Sequence, residues 1–177
     1  DTEGDLIPDA VKEYSISEDK KTYTIKIKDN IRWQFDKEKL TIDDVLFTVK
    51  SIQNPNYKSP LRSNLTGVEA EKIDDYTAKF SLKSPYEPFL QNLTFGILPS
   101  HIWQYINTAN FHLAEYNIKP IGSGKYILEK ITRDKQGNII SVELGSNQDY
   151  YGKIPFVQKI IFKFFGSQDE IIDALNN

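Results

Sequence analysis

At 177 residues the chain is long enough for one domain, or for one domain and part of another, and its 39% hydrophobic content, with ten Phe, ten Tyr and two Trp, can build a core. A formal charge of −3 with no basic stripe excludes the usual nucleic-acid-binding surface, and the absence of cysteine removes disulfides, thiolate metal sites and cysteine nucleophiles. No apolar run approaches the roughly 20 residues of a membrane-spanning helix. The opening "DTEGDLIPDA" has no methionine and turns at once, which suggests a piece cut from a longer protein.

The first elements are two strands, "EYSIS" and "TYTIKIK", joined by a charged turn at Glu18 to Lys21. In the second, Tyr23, Ile25 and Ile27 alternate with Thr24, Lys26 and Lys28, the period of a half-buried strand. "LTIDDVLFTVKSIQN" predicts a helix. Thr41 is its N-cap, Asp43 and Asp44 complement the dipole in its first turn, and Val45, Leu46, Val49 and Ile52 form its apolar stripe. The prolines of "NPNYKSPLRSN" then predict a loop of about a dozen residues, long for a mere connection.

A hairpin follows in "GVEAEKIDDYTAKFSLKSP", expected to turn at Asp74-Asp75 with Tyr76, Ala78, Phe80 and Leu82 on one face. "YEPFLQNLTF" predicts a short helix with Pro88 in its first turn. "GILPSHIWQYI" predicts a buried segment entering another short helix, N-capped by Ser100. Asn107 to Lys119 shows no clear pattern. "KYILEKITRDKQGNIISVELG" is a long hairpin around Lys135 to Asn138, "NQDYYGKIP" a turn-rich link, "VQKIIFKFF" a strand, and Gln168 to Leu175 begins a helix. Hairpins and short helices interleaved, then a strand leading to a helix, define a mixed α+β class.

The glycines of "KPIGSGKYILEK" invite a phosphate-loop reading, which spacing rejects. A Walker loop needs glycine where Lys119 stands and a small hydroxyl where Tyr126 follows Lys125. A dinucleotide fingerprint needs a third glycine where Ile127 stands, at the start of a helix rather than a strand. Gly122 and Gly124 are instead expected to supply positive φ or close backbone approach before a strand. Asp43 and Asp44 point about 100° apart on their helix, His101 and His112 have no metal-ligand spacing, and no G-x-S-x-G elbow occurs. Two Asn-x-Thr sequons, at Asn64 and Asn92, are unremarkable in a chain this rich in Asn and Thr. The residues point to no catalytic site and no metal or cofactor site, and hence to a binding module.

Six ordered stretches resemble the family-5 extracellular solute-binding proteins, the peptide- and nickel-binding receptors of bacterial ABC importers. "LIPDAVKEYSISEDKKTYTIKIKDNIRW" is similar to a P-x-L-A-x-S-W element leading to T-Y-T-F-K-L-R and V-K-W, and "LTIDDVLFTVKSI" to an L-T-A-D-D-V-x-F-S helix. "DDYTAKFSLKSPYEPFL" and "ILPSHIW" resemble D-D-Y-T-V-x-F-x-L-x-x-P-Y-x-P-F-L and I-L-P-K-H. "PIGSGKYILEK" resembles P-V-G-T-G-P-Y-x-L, and "NQDYYGKIPFVQKIIFKFF" resembles N-P-D-Y-W-G-x-x-P-x-L-D-K-I-x-F-K. Where the family has the tight turn S-D-G-x-P, this chain has Gln34-Phe35-Asp36-Lys37, and Lys125 replaces a proline.

The resemblance implies a partial periplasmic-binding-protein-like fold of type II, with residues 1–117 as a small accessory lobe and 118–177 as one segment of the large ligand-binding lobe. It implies capture of a small solute, most of all a peptide, for a membrane permease, in the periplasm or on a cell-surface lipoprotein, without catalysis. Nickel chelates, sugars or haem on the same scaffold, or a docking or sensor module derived from it, are the alternatives. By the same resemblance Leu61, Arg62, Phe95 and Gly96 line the ligand cleft, and Gly122, Ser123 and Gly124 form the structural turn that re-enters the large lobe. An excised chain is expected to bind peptide weakly, and its open strand edges could pair with another copy.

Overall fold

The computed structural model describes residues 4–176, and the chain divides into two compact units, the first ending at Ser123 and the second beginning at Gly124. In the first, β1 (Val11–Ile16), β2 (Thr22–Ile27), β3 (Glu69–Asp74) and β4 (Thr77–Ser81) form an antiparallel sheet in the order β1-β2-β4-β3. The register sets Tyr23 opposite Phe80 and Ile25 opposite Ala78. Opposed residues share a face, so the period-2 pattern of β2 delivers Tyr23, Ile25 and Ile27 to the same buried side as Ala78 and Phe80.

Helix α1 (Ile42–Gln53) buries Ile42, Val45, Leu46, Val49 and Ile52. Large side chains buried this completely contribute ~1.5–3 kcal/mol each relative to exposure. Its start is held by the Thr41 amide, which donates to Asp44 Oδ2 at 3.0 Å, and by the Ile42 amide, which donates to the Asp75 carbonyl at 2.8 Å. At its other end the Gln53 side-chain amide donates to the carbonyls of Leu65 and Val68, both at 2.8 Å.

Three further elements are single helical turns: α2 (Arg62–Leu65), α3 (Phe89–Asn92) and α4 (Ser100–Trp103). The first corrects the expectation of an unstructured loop, because the Asn64 amide closes a turn onto the Leu61 carbonyl at 3.1 Å and buries Leu65. Tyr76 lies in the β3–β4 turn rather than on the strand face, since pairing resumes only at Thr77. Ser100 opens α4 as its first helical residue, with Pro99 as the N-cap, because the serine hydroxyl is engaged elsewhere. Residues 107–119, featureless in sequence, form two 3-10 turns, Thr108–Leu113 and Glu115–Asn117. They are pinned by buried Phe111, whose ring lies 4.8 Å from Trp103 and 5.1 Å from Tyr57.

The second unit is a meander of β5 (Tyr126–Arg133), β6 (Ile139–Ser146) and β7 (Lys159–Lys163) in the order β5-β6-β7, followed by α5 (Gln168–Asn176). The β5–β6 turn is closed by Asp134, whose carboxylate accepts from the Gln136 and Asn138 amides and the Asn138 side chain. Gly137 takes the positive φ of 89° that this turn requires. Asn147 is buried and ties the link after β6 back to the start of the unit: its amide donates to the Lys125 carbonyl at 2.8 Å and its side chain to the Gly124 carbonyl at 2.9 Å.

Candidate ligand-contacting site

The segment Phe95–Ser100 is positioned from below by one face of α1. Asp44 and Thr48 stand four residues apart, on one side of that helix. The Leu98 amide donates to Thr48 Oγ1 at 2.9 Å. The Ser100 amide and hydroxyl both donate to Asp44 Oδ1, at 2.8 and 2.6 Å. The other carboxylate oxygen accepts from the Thr41 amide and, at 3.3 Å, from the Trp33 indole. Asp44 is 3% exposed and gathers four donors from three separate stretches of chain, at Trp33, Thr41 and Ser100. Sequence reasoning saw only its place in the first turn. The missed signal was the pairing of an acidic and a hydroxyl residue at i and i+4 on a helix whose neighbours along that face are apolar.

One residue further on, His101 Nε2 lies 2.8 Å from Asp36 Oδ2, so α4 is also joined to the loop after Trp33. That loop holds Phe35 at φ 71° and Lys37 at φ 60°, left-handed values that bulky residues adopt at a cost. It lacks the glycine of the related pattern and is held by other means. The Trp33 amide donates to the Glu38 carbonyl, the Gln34 amide donates to the Gly122 carbonyl at 2.9 Å, and the Gly122 amide returns to Gln34 Oε1 at 3.3 Å. Close backbone approach is therefore the role visible at Gly122. Neither Gly122 nor Gly124 has positive φ, and a side chain added at Gly124 would meet nothing within 4 Å. Ser123 lies between them, half-buried.

Phe95 and Gly96 share one wall of an apolar cavity of about 500 Å³. The opposite walls are Leu6 to Val11, Tyr14 of β1, and the core residues Ile25, Ile27 and Phe80. Leu61 and Arg62 do not line it. Arg62 Nε donates to the Gln53 carbonyl at 3.0 Å, capping the end of α1, while Leu61 is exposed just before α2. The helical turns α2 and α3 nevertheless touch: the Asn92 side chain donates to the Asn64 carbonyl at 3.0 Å.

Several exposed charges of the unit are paired. Lys72 donates to Asp43 and Asp75, and these hydrogen bonds push its pKa up to about 12. Lys20 is raised by its bond to Glu87, whose carboxyl is lowered in turn. No group of three metal-ligating side chains comes together among the described residues.

Against known proteins, the family model described as bacterial extracellular solute-binding proteins, family 5 middle, matches residues 5–177. An ABC transporter peptide-binding protein of Brucella ovis is 31% identical over 175 residues, covering 97% of this chain and 32% of its own. Among solved structures, the oligopeptide-binding protein AppA of Bacillus subtilis in complex with a nonapeptide superposes with a TM-score of 0.82 at 27% identity, over 94% of this chain and 33% of that one. NikZ of Campylobacter jejuni in complex with Ni(L-His) does so with a TM-score of 0.82 at 29% identity, over 96% and 33%. The chain thus spans about a third of the length of these relatives. With a profile match along nearly its whole length and the same fold as the solved relatives, the chain belongs to the family-5 bacterial extracellular solute-binding proteins.

Proposed function

We propose that the chain is part of an extracytoplasmic receptor that captures a peptide between two lobes and delivers it to an ABC permease, without chemistry on the ligand. In this reading residues 1–117 are the small accessory lobe and 118–177 one segment of the large lobe, entered through the turn at Gly122, Ser123 and Gly124. The receptor is periplasmic or held at the cell surface as a lipoprotein. The observation that carries the reading is the match to the Brucella and Bacillus peptide-binding relatives along nearly the whole chain. Leu61, Arg62, Phe95 and Gly96 are the contacting residues.

The local geometry supports Phe95 and Gly96 more than the other pair. The backbone of Phe95, Gly96 and Ile97 makes no hydrogen bond among the described residues. A site that reads peptide main chain needs such open donors and acceptors, with tolerant pockets for side chains. Hinge closure around the peptide then signals occupancy to the permease.

A thermal-shift screen of the full-length protein against di- to octapeptides, nickel with histidine, and sugars tests this. Saturation at a hundred times Kd adds about 2.7 kcal/mol and moves Tm by a few degrees. A shift with peptides alone supports the reading. The NikZ match favours one alternative, a nickel chelate, and a shift with nickel-histidine and none with peptides would replace the peptide by that ligand.

A further inference from the structure

The apolar cavity of the first unit has a wall that ought to be covered and is not. Tyr14 and Ile16 of β1 pair with Ile25 and Tyr23 of β2 and therefore project from the core face of the sheet. Their partners are 5% and 1% exposed, yet Tyr14 and Ile16 remain 49% and 44% exposed. The core face thus runs on beyond its cover, and of these two Tyr14 lines the cavity together with Leu93, Phe95 and Ile97.

We infer that this cavity takes an apolar side chain of the bound peptide, giving the receptor a preference for peptides with a bulky aliphatic or aromatic residue. The inference rests on the peptide reading and adds a substrate class to it. Its volume, about 500 Å³, lies in the range of small-ligand sites and admits one or two side chains rather than a folded element. The lining is apolar apart from Asp9, Tyr14 and Thr94, so an acidic side chain would lose its hydration there without a match.

The occupant is argued from the adjoining backbone. Phe95, Gly96 and Ile97 line the cavity and carry open amides and carbonyls at its edge. Gly96 has nothing within 4 Å of where a side chain would be, so a second chain can approach. An extended peptide hydrogen-bonded there has alternate side chains directed to one side, the geometry needed to drop one into the cavity.

The test is calorimetric binding of Ala-Ala-Ala to the full-length protein, against tripeptides with Leu or Asp placed at each position in turn. Leu at one position should bind at least about tenfold more tightly than Ala, and Asp at that position more weakly. Two substitutions that fill the cavity from its rim, Thr94→Trp and Leu6→Trp, should each bring the Leu-to-Ala ratio towards one. Peptides that bind with no Leu preference at any position overturn this inference and leave the peptide receptor standing. A Leu preference that survives both tryptophans also overturns it, placing the selective pocket elsewhere. Failure of every peptide to bind removes the peptide reading itself. A dimer of the free protein that either tryptophan splits overturns the inference by showing a second copy in the cavity.

Discussion

In the first unit Tyr23, Trp33, Phe80 and Phe89 are each at most 2% exposed, whereas in the second Phe156, Phe162 and Phe164 stand 87%, 50% and 53% exposed. Every buried apolar side chain among the described residues lies between Tyr23 and Phe111. The two units have similar aromatic content and differ in layering. A four-stranded sheet with α1 against it closes a core, while a three-stranded meander has two faces and, among the described residues, no second layer to cover either. Ile171, Ile172 and Leu175 of α5 are likewise exposed. The sequence of the second unit is therefore patterned for a partner layer, which on the reading proposed above is the remainder of a large lobe.

The largest test of this contrast is core truncation. Phe80→Ala in the 177-residue chain should cost ~3–5 kcal/mol in urea unfolding, and Phe162→Ala within about 0.5 kcal/mol of nothing. In the full-length protein the second substitution should become costly. If Phe162→Ala remains silent there, the missing-layer account fails. Next comes Asp44→Ala, which strands the Ser100, Thr41 and Trp33 donors and should destabilise by about 3 kcal/mol, with Asp44→Asn recovering part of it. The same substitution should weaken ligand binding by loosening the Phe95–Ser100 segment.

Amide exchange sharpens the comparison without mutation. Protection in β2 and β4 should approach the global unfolding free energy, while β7 and α5 exchange through local opening. Equal protection across both units would contradict the layering argument. A smaller effect is expected at Phe35→Gly: the exposed ring loses little packing and the left-handed backbone is relieved, so stability should rise by up to about 1 kcal/mol.

The smallest effect belongs to Lys72. Its pKa is raised in the folded state by Asp43 and Asp75, so the stability it supplies is fully present below the ordinary lysine value and is lost as pH rises through about 12. Lys72→Met should therefore lower Tm slightly at neutral pH, and the deficit should shrink in high salt and vanish towards pH 12. A deficit that persists there would mean the lysine acts through packing.

Strands β1 to β7 and helix α1 were legible because each carries its own periodicity or punctuation over enough residues. The one-turn helix α2 and the 3-10 turns were not: runs of three to six residues have no period to detect, and Phe111 buries itself against Trp103 and Tyr57 from far along the chain. Of the site, Phe95 and Gly96 came from a resemblance and were then found on a cavity wall beside open backbone. Arg62 was found with its guanidinium turned to the end of α1.

By itself, the sequence determined the strands, the long helix, the hairpin turns and the absence of thiol chemistry, since these depend on local periodicity, turn residues and composition. Only the tertiary structure decided that Asp44 is a buried hub rather than a dipole ornament, that Gly122 is clamped by Gln34, and that one unit closes a core while the other leaves its apolar faces bare. Each of these depends on which distant segments meet, and a hydrogen bond spanning 56 or 88 residues leaves no trace in the spacing of either partner.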